Sequence, residues 1–366
     1  MQGAQIIVIA TPVFLLLIGI EFLVGLRRGR NTYRLNDALN SIGLGILSQV
    51  AGVFSKLMTL GIYSVVFARF SFWQLPADAP WVWLAALVLY DLCYYALHRA
   101  GHRCALFWAA HVVHHQSEDY NLSTALRQTS SGWLAGWLFY LPMALLGFPP
   151  LVFAVVALID LLYQFWVHTQ QIGKLGWFDR WFCSPSNHRV HHAVNDRYVD
   201  KNYGGILIVW DRLFGTFEEE DDAEPCVYGT RSPLRSWNPL WANLQVYADL
   251  CRDAWHASHW SDKLRVWLAP PGWRPADVAA RHPKPPFALD RVERFDPPMT
   301  RAAQACAALT FLALLGMTTA FLWTAHEASP MGLAAWAASI VAGLWLVGLL
   351  SERSTPDSLR QPAAQR

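Results

Sequence analysis

Charge is scarce in this chain. Asp, Glu, Lys and Arg make up 15% of its residues, against roughly 25% in ordinary soluble domains. With 54% hydrophobic and 14% aromatic residues, it carries more apolar surface than a soluble fold of its 366 residues can hide. The net charge of +2 is too small to steer the chain onto nucleic acid, and no basic-aromatic repeat supports such binding. Cysteine is also sparse: six are scattered without a C-x-x-C pair. That argues against a disulfide framework or a thiolate zinc site and leaves isolated small packing residues. The H-E-x-x-H pattern of zinc hydrolases, whose glutamate is the general base, is absent from every histidine group.

What is plentiful is long apolar runs. A helix needs roughly 20 largely apolar residues to cross a bilayer, and six segments approach this: 6–26, 81–97, 132–147, 149–167, 302–323 and 331–350. A seventh, 39–67, is interrupted by Gly43, Gly45, Gly52 and Lys56 and is expected to be tilted, kinked or re-entrant. The first run is followed by Arg27, Arg28, Arg30 and Arg34 and lacks a convincing cleavage site, so it reads as an uncleaved anchor. Its basic end is expected to be cytoplasmic under the positive-inside rule. Runs 132–147 and 149–167 meet at a Gly-Phe-Pro-Pro turn, and the last two form another hairpin that leaves the tail from 351 on the cytoplasmic side. The expected fold is all-α: an integral membrane protein with about six to seven transmembrane or re-entrant helices and a cytoplasmic-side, histidine-rich helical domain.

Histidine carries the chemistry. Eight of the thirteen fall in three groups, His98 and His102; His111, His114 and His115; and His188, His191 and His192. Residues three and four apart share a helix face, so each group can aim its imidazoles at one point. Neutral imidazole is a ligand for iron, zinc and copper. Eight imidazoles exceed what one ion accepts, so two metals are the economical reading. Eight residues separate His102 from His111, room for a turn and a second helix that closes both groups on one centre. His168 ends the run Asp160, Gln164, His168 at i, i+4 and i+8 and arrives beside the other groups, which makes it a ninth ligand candidate.

Supporting roles fall to polar residues near these groups. Asp91, two turns before His98 inside an apolar run, is costly at that depth and is expected to orient a ligand imidazole. Glu118 and Asp119 can ligate or support ligands, although loop solvation explains Asp119 as well. Asp160, Gln164, Asn187, Asp200 and Asn202 are further candidates, and Gly204-Gly205 suits a tight turn. The segment 206–217 can form a membrane-dipping element. His256, His259, His282 and His326 are excluded as isolated.

Four regions follow: 1–80, anchor helices; 81–230, the histidine domain; 231–300, an amphipathic Trp- and Pro-rich cytoplasmic segment; and 301–366, a transmembrane hairpin and tail. The acidic run 218–224 is a solvated boundary loop. Residues 233–270 suit interfacial helices, and 270–298, with eight prolines, suits an irregular strap packed over the histidine domain.

The motifs His111-Val112-Val113-His114-His115, Asp119-Tyr120-Asn121-Leu122-Ser123-Thr124-Ala125-Leu126-Arg127-Gln128, Trp166-Val167-His168-Thr169, His188-Arg189-Val190-His191-His192 and the run 200–217 resemble the fatty acid hydroxylase and sterol desaturase superfamily. The resemblance is strong over roughly 80–220, and within the superfamily the ether-lipid-cleaving members are most similar. It implies a membrane-bound, O2-dependent non-haem di-iron monooxygenase with two Fe ions on the eight grouped histidines, and His168 in addition. The implied substrate is a membrane lipid, hydroxylated on an alkyl chain next to an ether oxygen; alternatives are a sterol or fatty acyl hydroxylase or desaturase, or a non-enzymatic metal or haem carrier. Those ether-lipid members carry glutamate where this chain has Arg103. Both tetrahydrobiopterin and an electron-transfer protein therefore stay open as the external reductant. The lipid tail is expected to enter along Trp133, Trp137, Phe139 and Trp166.

Overall fold

The computed structural model describes residues 3–352, all helix, turn and loop; among them no strand forms, only two isolated bridge pairs. The expected tail beyond 352 lies outside the described residues. Helix α1 (Gly3–Arg27) packs Phe14 on Phe165 but leaves Ile9, Val13, Leu16, Ile20 and Leu23 exposed. Such a bare apolar face requires lipid. Its buried acid, Glu21, takes hydrogen bonds from the Tyr33 and Thr169 hydroxyls and from the Leu122 amide at 2.8 Å, which ties the anchor to the rest of the fold.

Helix α2 (Leu35–Phe70) runs 36 residues without the expected break. Its glycines serve packing: a Cβ at Gly45 would lie 2.4 Å from the Leu126 carbonyl oxygen. Helix α3 (Pro80–Arg103) ends where Cys104 turns extended (φ −130°, ψ 123°), and α4 (Ala105–His115) starts at once. This is the expected close turn between the first two histidine groups. The short α5 (Leu122–Ala125) is held by an Asn121/Thr124 capping box.

The run 132–147 does not form one spanning helix. It breaks into 3-10 turns at Gly132–Leu134 and Gly136–Tyr140 and a short α6 (Leu141–Leu145). Two glycines and Pro142 remove the continuous ladder a membrane helix requires, and Gly147 (φ 86°) turns the chain back. Helix α7 (Pro150–Trp166) has 17 residues, about 26 Å at 1.5 Å per residue, short of a roughly 30 Å hydrocarbon core. Then come α8 (Phe178–Trp181), α9 (Pro185–His192), α10 (Val209–Phe214), α11 (Pro239–His256), α12 (Trp260–Leu268), α13 (Ala276–Arg281), α14 (Arg301–Thr324) and α15 (Pro330–Glu352).

Among the described residues five helical segments are long and apolar enough to cross a membrane: Ile7–Arg27, Leu35–Ser55, Pro80–Arg103, Arg301–Thr324 and Pro330–Glu352. Together they fit an integral membrane protein. One core joins Leu44, Leu47 and Val50 of α2 to Phe311, Leu314, Ile340 and Leu344 of the last two helices and to Val112 and Val113 of α4. A second joins Val82, Ala86 and Tyr90 to Tyr140, Met143, Val152 and Phe153. Trp255 and Trp260 are 81% and 79% exposed on α11 and α12. The proline-rich strap touches the fold at Phe295, whose amide donates to Glu118 at 2.6 Å.

Candidate metal centre

Four elements converge. Helix α3 brings His98 and His102 one turn apart, α4 brings His111, His114 and His115, and His168 follows the end of α7. Helix α9 brings His188, His191 and His192. It is started by Ser184, whose hydroxyl accepts from the Asn187 amide at 3.3 Å, with Pro185 in its first turn.

The nine imidazoles gather into two groups: His98, His102, His111, His115 and His191; and His114, His168, His188 and His192. Within each, the potential ligand atoms lie within 4.8 Å of one another. The second and third sequence groups are each divided between the two clusters, so neither makes a centre alone. Among the described residues no carboxylate or thiolate joins either cluster.

Hydrogen bonds on the outer nitrogens set the tautomers. The Nδ1–H groups of His98, His114, His168 and His191 donate to the carbonyls of Tyr203 (2.8 Å), Arg127 (2.9 Å), Gln164 (2.7 Å) and Lys201 (2.9 Å). A carbonyl only accepts, so Nε2 of each ring keeps its lone pair. Yet His114 Nε2 and His168 Nε2 face each other at 3.1 Å. Two lone pairs at that distance repel unless a cation lies between them. The other inward contacts are similar: His98 to His111 and His115 to His111 at 3.0 Å, and His188 to His168 and His191 to His115 at 3.1 Å. Metal–nitrogen bonds of about 2.1 Å meeting at right angles separate two nitrogens by about 3.0 Å. Nε2 of His102 and of His192 is buried without any hydrogen-bond partner, as expected of a ligand atom aimed at an ion. Burial, then repulsion among neighbouring imidazoles, holds His111, His115, His188, His191 and His192 well below the usual imidazole range. Burial pushes His114 down to about 4. All are thus the neutral, ligating form, and the residues fit two nitrogen-bound metals.

One loop orients three rings of the first cluster. Residues 200–203 offer the Asp200 carboxylate 3.6 Å from His102 Nδ1, the Lys201 carbonyl to His191 and the Tyr203 carbonyl to His98. Asp200 and Asn202 take left-handed φ of 60° and 56°, which Asp and Asn tolerate better than most residues. Asn202 pins the loop by donating to the Asn187 carbonyl (3.0 Å) and the Glu218 carbonyl (2.8 Å). Arg103 donates to Asp200 at 3.2 Å.

Asp91 does not touch an imidazole as expected. Its carboxylate accepts from the Ile206 and Leu207 amides and Trp210 Nε1 at 2.7, 3.0 and 2.8 Å, so it braces the loop that carries Tyr203. Asp211 does the same from the Tyr203 and Gly204 amides at 2.8 and 2.7 Å. Accordingly, 206–217 is an anchored loop with a six-residue helix, although Leu213 and Phe214 are exposed on it. A Cβ at Gly205 would lie 2.8 Å from Asp160 Oδ1 and 2.9 Å from Asp91 Oδ1, which restricts that position to glycine.

Glu118 and Asp119 belong to neither cluster: Glu118 caps Phe295, and Asp119 pairs with Arg34 at 2.8 Å. They attach the strap to the start of α2. Asp160 accepts from Gln164 Nε2 at 2.5 Å, and Gln164 accepts from Tyr94 at 2.7 Å. Neither side chain meets a ring; Gln164 reaches His168 only through its carbonyl. Asn187 holds the approach to α9 by donating to the Asp179 and Phe182 carbonyls. His256 packs against His282 with the rings tilted by 45°, and His326 pairs with Glu327, apart from both clusters.

Several participants escaped the sequence reading. The carbonyls of Lys201, Tyr203, Gln164 and Arg127 have no side-chain signature. Arg127, 1% exposed, donates to the Val113 carbonyl (2.7 Å) and to Asn40 (2.8 Å), fixing the carbonyl that holds His114. Its signal is an arginine in a motif whose residues 120–126 are all uncharged.

A cavity of about 190 Å³ meets the first cluster through His98 and His111. Leu97, Gly101, Phe107 and Leu134 are among its walls. The expected aromatic entrance is only partly there. Phe139 packs edge-on to Phe107 at 5.5 Å, whereas Trp166 sits away against Tyr163 and Phe178.

An apolar helical frame that gathers nine imidazoles, eight of them buried and His111 half-buried, in two metal-sized clusters is the arrangement of a histidine-box hydroxylase, and residues 83–216 match the fatty acid hydroxylase family. Alkylglycerol monooxygenase of Homo sapiens is 41% identical over 267 residues, 73% of this chain and 59% of the human protein. That of Danio rerio is 36% identical over 357 residues, 96% of this chain and 78% of its relative. The chain belongs to the alkylglycerol monooxygenase family. Ornithine lipid hydroxylase OlsE of Rhizobium tropici is 32% identical over 136 residues, 36% of this chain and 40% of that protein. No solved structure matches the chain.

Proposed function

We propose that this chain is an O2-dependent, membrane-bound di-iron monooxygenase that hydroxylates the alkyl chain of an ether lipid of the alkylglycerol type. The supporting observation is the pair of all-histidine clusters, one opening onto an apolar cavity. His98, His102, His111, His115 and His191 would hold one iron, and His114, His168, His188 and His192 the other. When bound, the iron pair would supply oxygen activation and the oxidation of a C–H bond of the alkyl chain.

The protein's own residues do the rest. Loop 200–203 and the carbonyls of Gln164 and Arg127 keep the rings in one tautomer and orientation. Leu97, Leu106, Phe107 and Leu134 exclude water from the C–H bond under attack. The net reaction inserts one oxygen atom of O2 into the C–H bond and reduces the other to water, using two electrons and two protons from an external donor. Either tetrahydrobiopterin or an electron-transfer protein meets that requirement. A hydroxyl on the carbon next to the ether oxygen makes a hemiacetal, which collapses to an aldehyde and free glycerol, so one oxidation cleaves the ether.

A cavity of about 190 Å³ is below the roughly 300 Å³ at which typical ligand pockets begin. It suits a stretch of one alkyl chain better than a fused sterol ring. The basic end of α1 favours a cytoplasmic site: Arg28 donates to the Gln171 carbonyl at 2.8 Å, just beyond His168. The test is turnover by purified protein in lipid nanodiscs supplied with iron, 18O2 and each candidate reductant. The expected result is loss of alkylglycerol and one 18O in the product. Conversion that proceeds equally without oxygen, or none with either reductant, would contradict the reading.

A further inference from the structure

The cavity beside His98 and His111 is lined mostly by apolar residues; Tyr94, also in the lining, commits its hydroxyl to Gln164 at 2.7 Å, and the other hydroxyls stand on one wall. There Thr129, Ser131 and Tyr247 place three hydroxyls in a row. Tyr247 OH and Ser131 Oγ are 3.0 Å apart, and Ser131 Oγ and Thr129 Oγ1 are 3.2 Å apart. The loop that carries them is clasped by α11, since the Ser130 amide donates to Asn243 at 2.9 Å.

Three hydroxyls have three O–H donors, but two links join them. Whichever way the row is polarised, one hydroxyl keeps an O–H to give, an end one if the row runs head to tail and Ser131 if both ends donate to it, and spare lone pairs remain. All three residues line the cavity. No Asp, Glu, Lys or Arg lines it. A buried phosphate or carboxylate on the hydroxyl wall would have no cationic side chain beside it, which is costly. A neutral polyol would meet both a donor and acceptors.

We propose that Tyr247, Ser131 and Thr129 form the headgroup-binding wall of this cavity, which selects an uncharged glycerol end and holds the adjacent ether carbon against the wall made by His98 and His111. The proposal rests on the alkylglycerol reading above. It also assigns the substrate to the five-histidine cluster, because no ring of the four-histidine cluster lines the cavity. The chain beyond the reacting carbon would leave past Gly132, Leu134 and Gly136, where Leu134 is 55% exposed.

The test is anaerobic equilibrium binding to the nanodisc-embedded full chain, so that no turnover intervenes. The probes are a tritiated 1-O-alkylglycerol, the methyl ether of the same alkyl chain, and the alkylglycerol phosphate. Wild type is expected to prefer the alkylglycerol over both others. Tyr247→Phe is expected to weaken alkylglycerol binding about three- to tenfold, the effect of one hydrogen bond, and to leave methyl ether binding unchanged. Ser131→Ala should show the same selective loss. Equal losses for alkylglycerol and methyl ether, no loss in either variant, or phosphate bound as tightly as the neutral diol would overturn the proposal. Selective binding without any aerobic turnover would contradict the enzymatic reading and leave the binding wall standing; turnover with unselective binding would do the reverse.

Discussion

His102 shows how a single ring is aimed. Its Nε2 is buried without a partner, while its Nδ1 faces Asp200 at 3.6 Å, and Asp200 is held in turn by Arg103 at 3.2 Å. Loss of such an outer partner commonly costs 10- to 100-fold in metal affinity. Asp200→Ala is therefore expected to lower iron retention about 10- to 100-fold, read as faster loss to a chelator, with Asp200→Asn intermediate. Retention equal to wild type would show that the carboxylate does not orient His102. Side chains of this kind were legible in the sequence: eight of the clustered histidines stand out by spacing, His168 by following Asp160 and Gln164 on one helix face beside the other groups, and Asp200 and Asn202 by their place after the third group. The carbonyls of Lys201, Tyr203, Gln164 and Arg127 were not, because every residue has a carbonyl and only the fold decides which one meets a ring. Asp91 was legible as functional by its depth but not in its contact, since Ile206 and Leu207 lie 115 and 116 residues away in sequence.

At the scale of elements, periodicity identified α1, α3, α14 and α15 and the turn between α3 and α4. It misjudged two stretches for opposite reasons. Glycines in α2 suggest breaks, yet Gly43 and Gly45 let Leu344 and Leu126 approach the helix. Apolar residues in 132–147 suggest a span, yet Gly132, Gly136 and Pro142 fragment it into short turns, of which Gly132, Leu134, Ala135 and Gly136 wall the cavity. Gly45→Ala puts a Cβ at 2.4 Å from the Leu126 carbonyl, next to the Arg127 carbonyl that holds His114. Overpacking of this kind costs about 1–3 kcal/mol. The variant is expected to lower the Tm in detergent and to loosen iron in the four-histidine cluster. An unchanged Tm would mean that α2 yields at no cost.

Across the whole molecule, the two cores place the helices, and the clusters form where α3, α4, α9 and the end of α7 meet. Glu21 extends this order into the anchor by joining α1 to Leu122 and Thr169, one residue from His168. The membrane frame and the metal centre are therefore one construction: moving α1 or α2 moves ligand supports. What that construction most directly implies is two metal sites of nitrogen donors, five and four. The decisive measurement is iron content and Mössbauer spectroscopy of the full chain purified after 57Fe labelling, alongside His168→Ala. Two irons per chain in two nitrogen-rich environments are expected, with the four-histidine site selectively depleted in the variant. A single iron environment in wild type, or loss of both irons together with an intact fold in His168→Ala, would contradict the division into two centres.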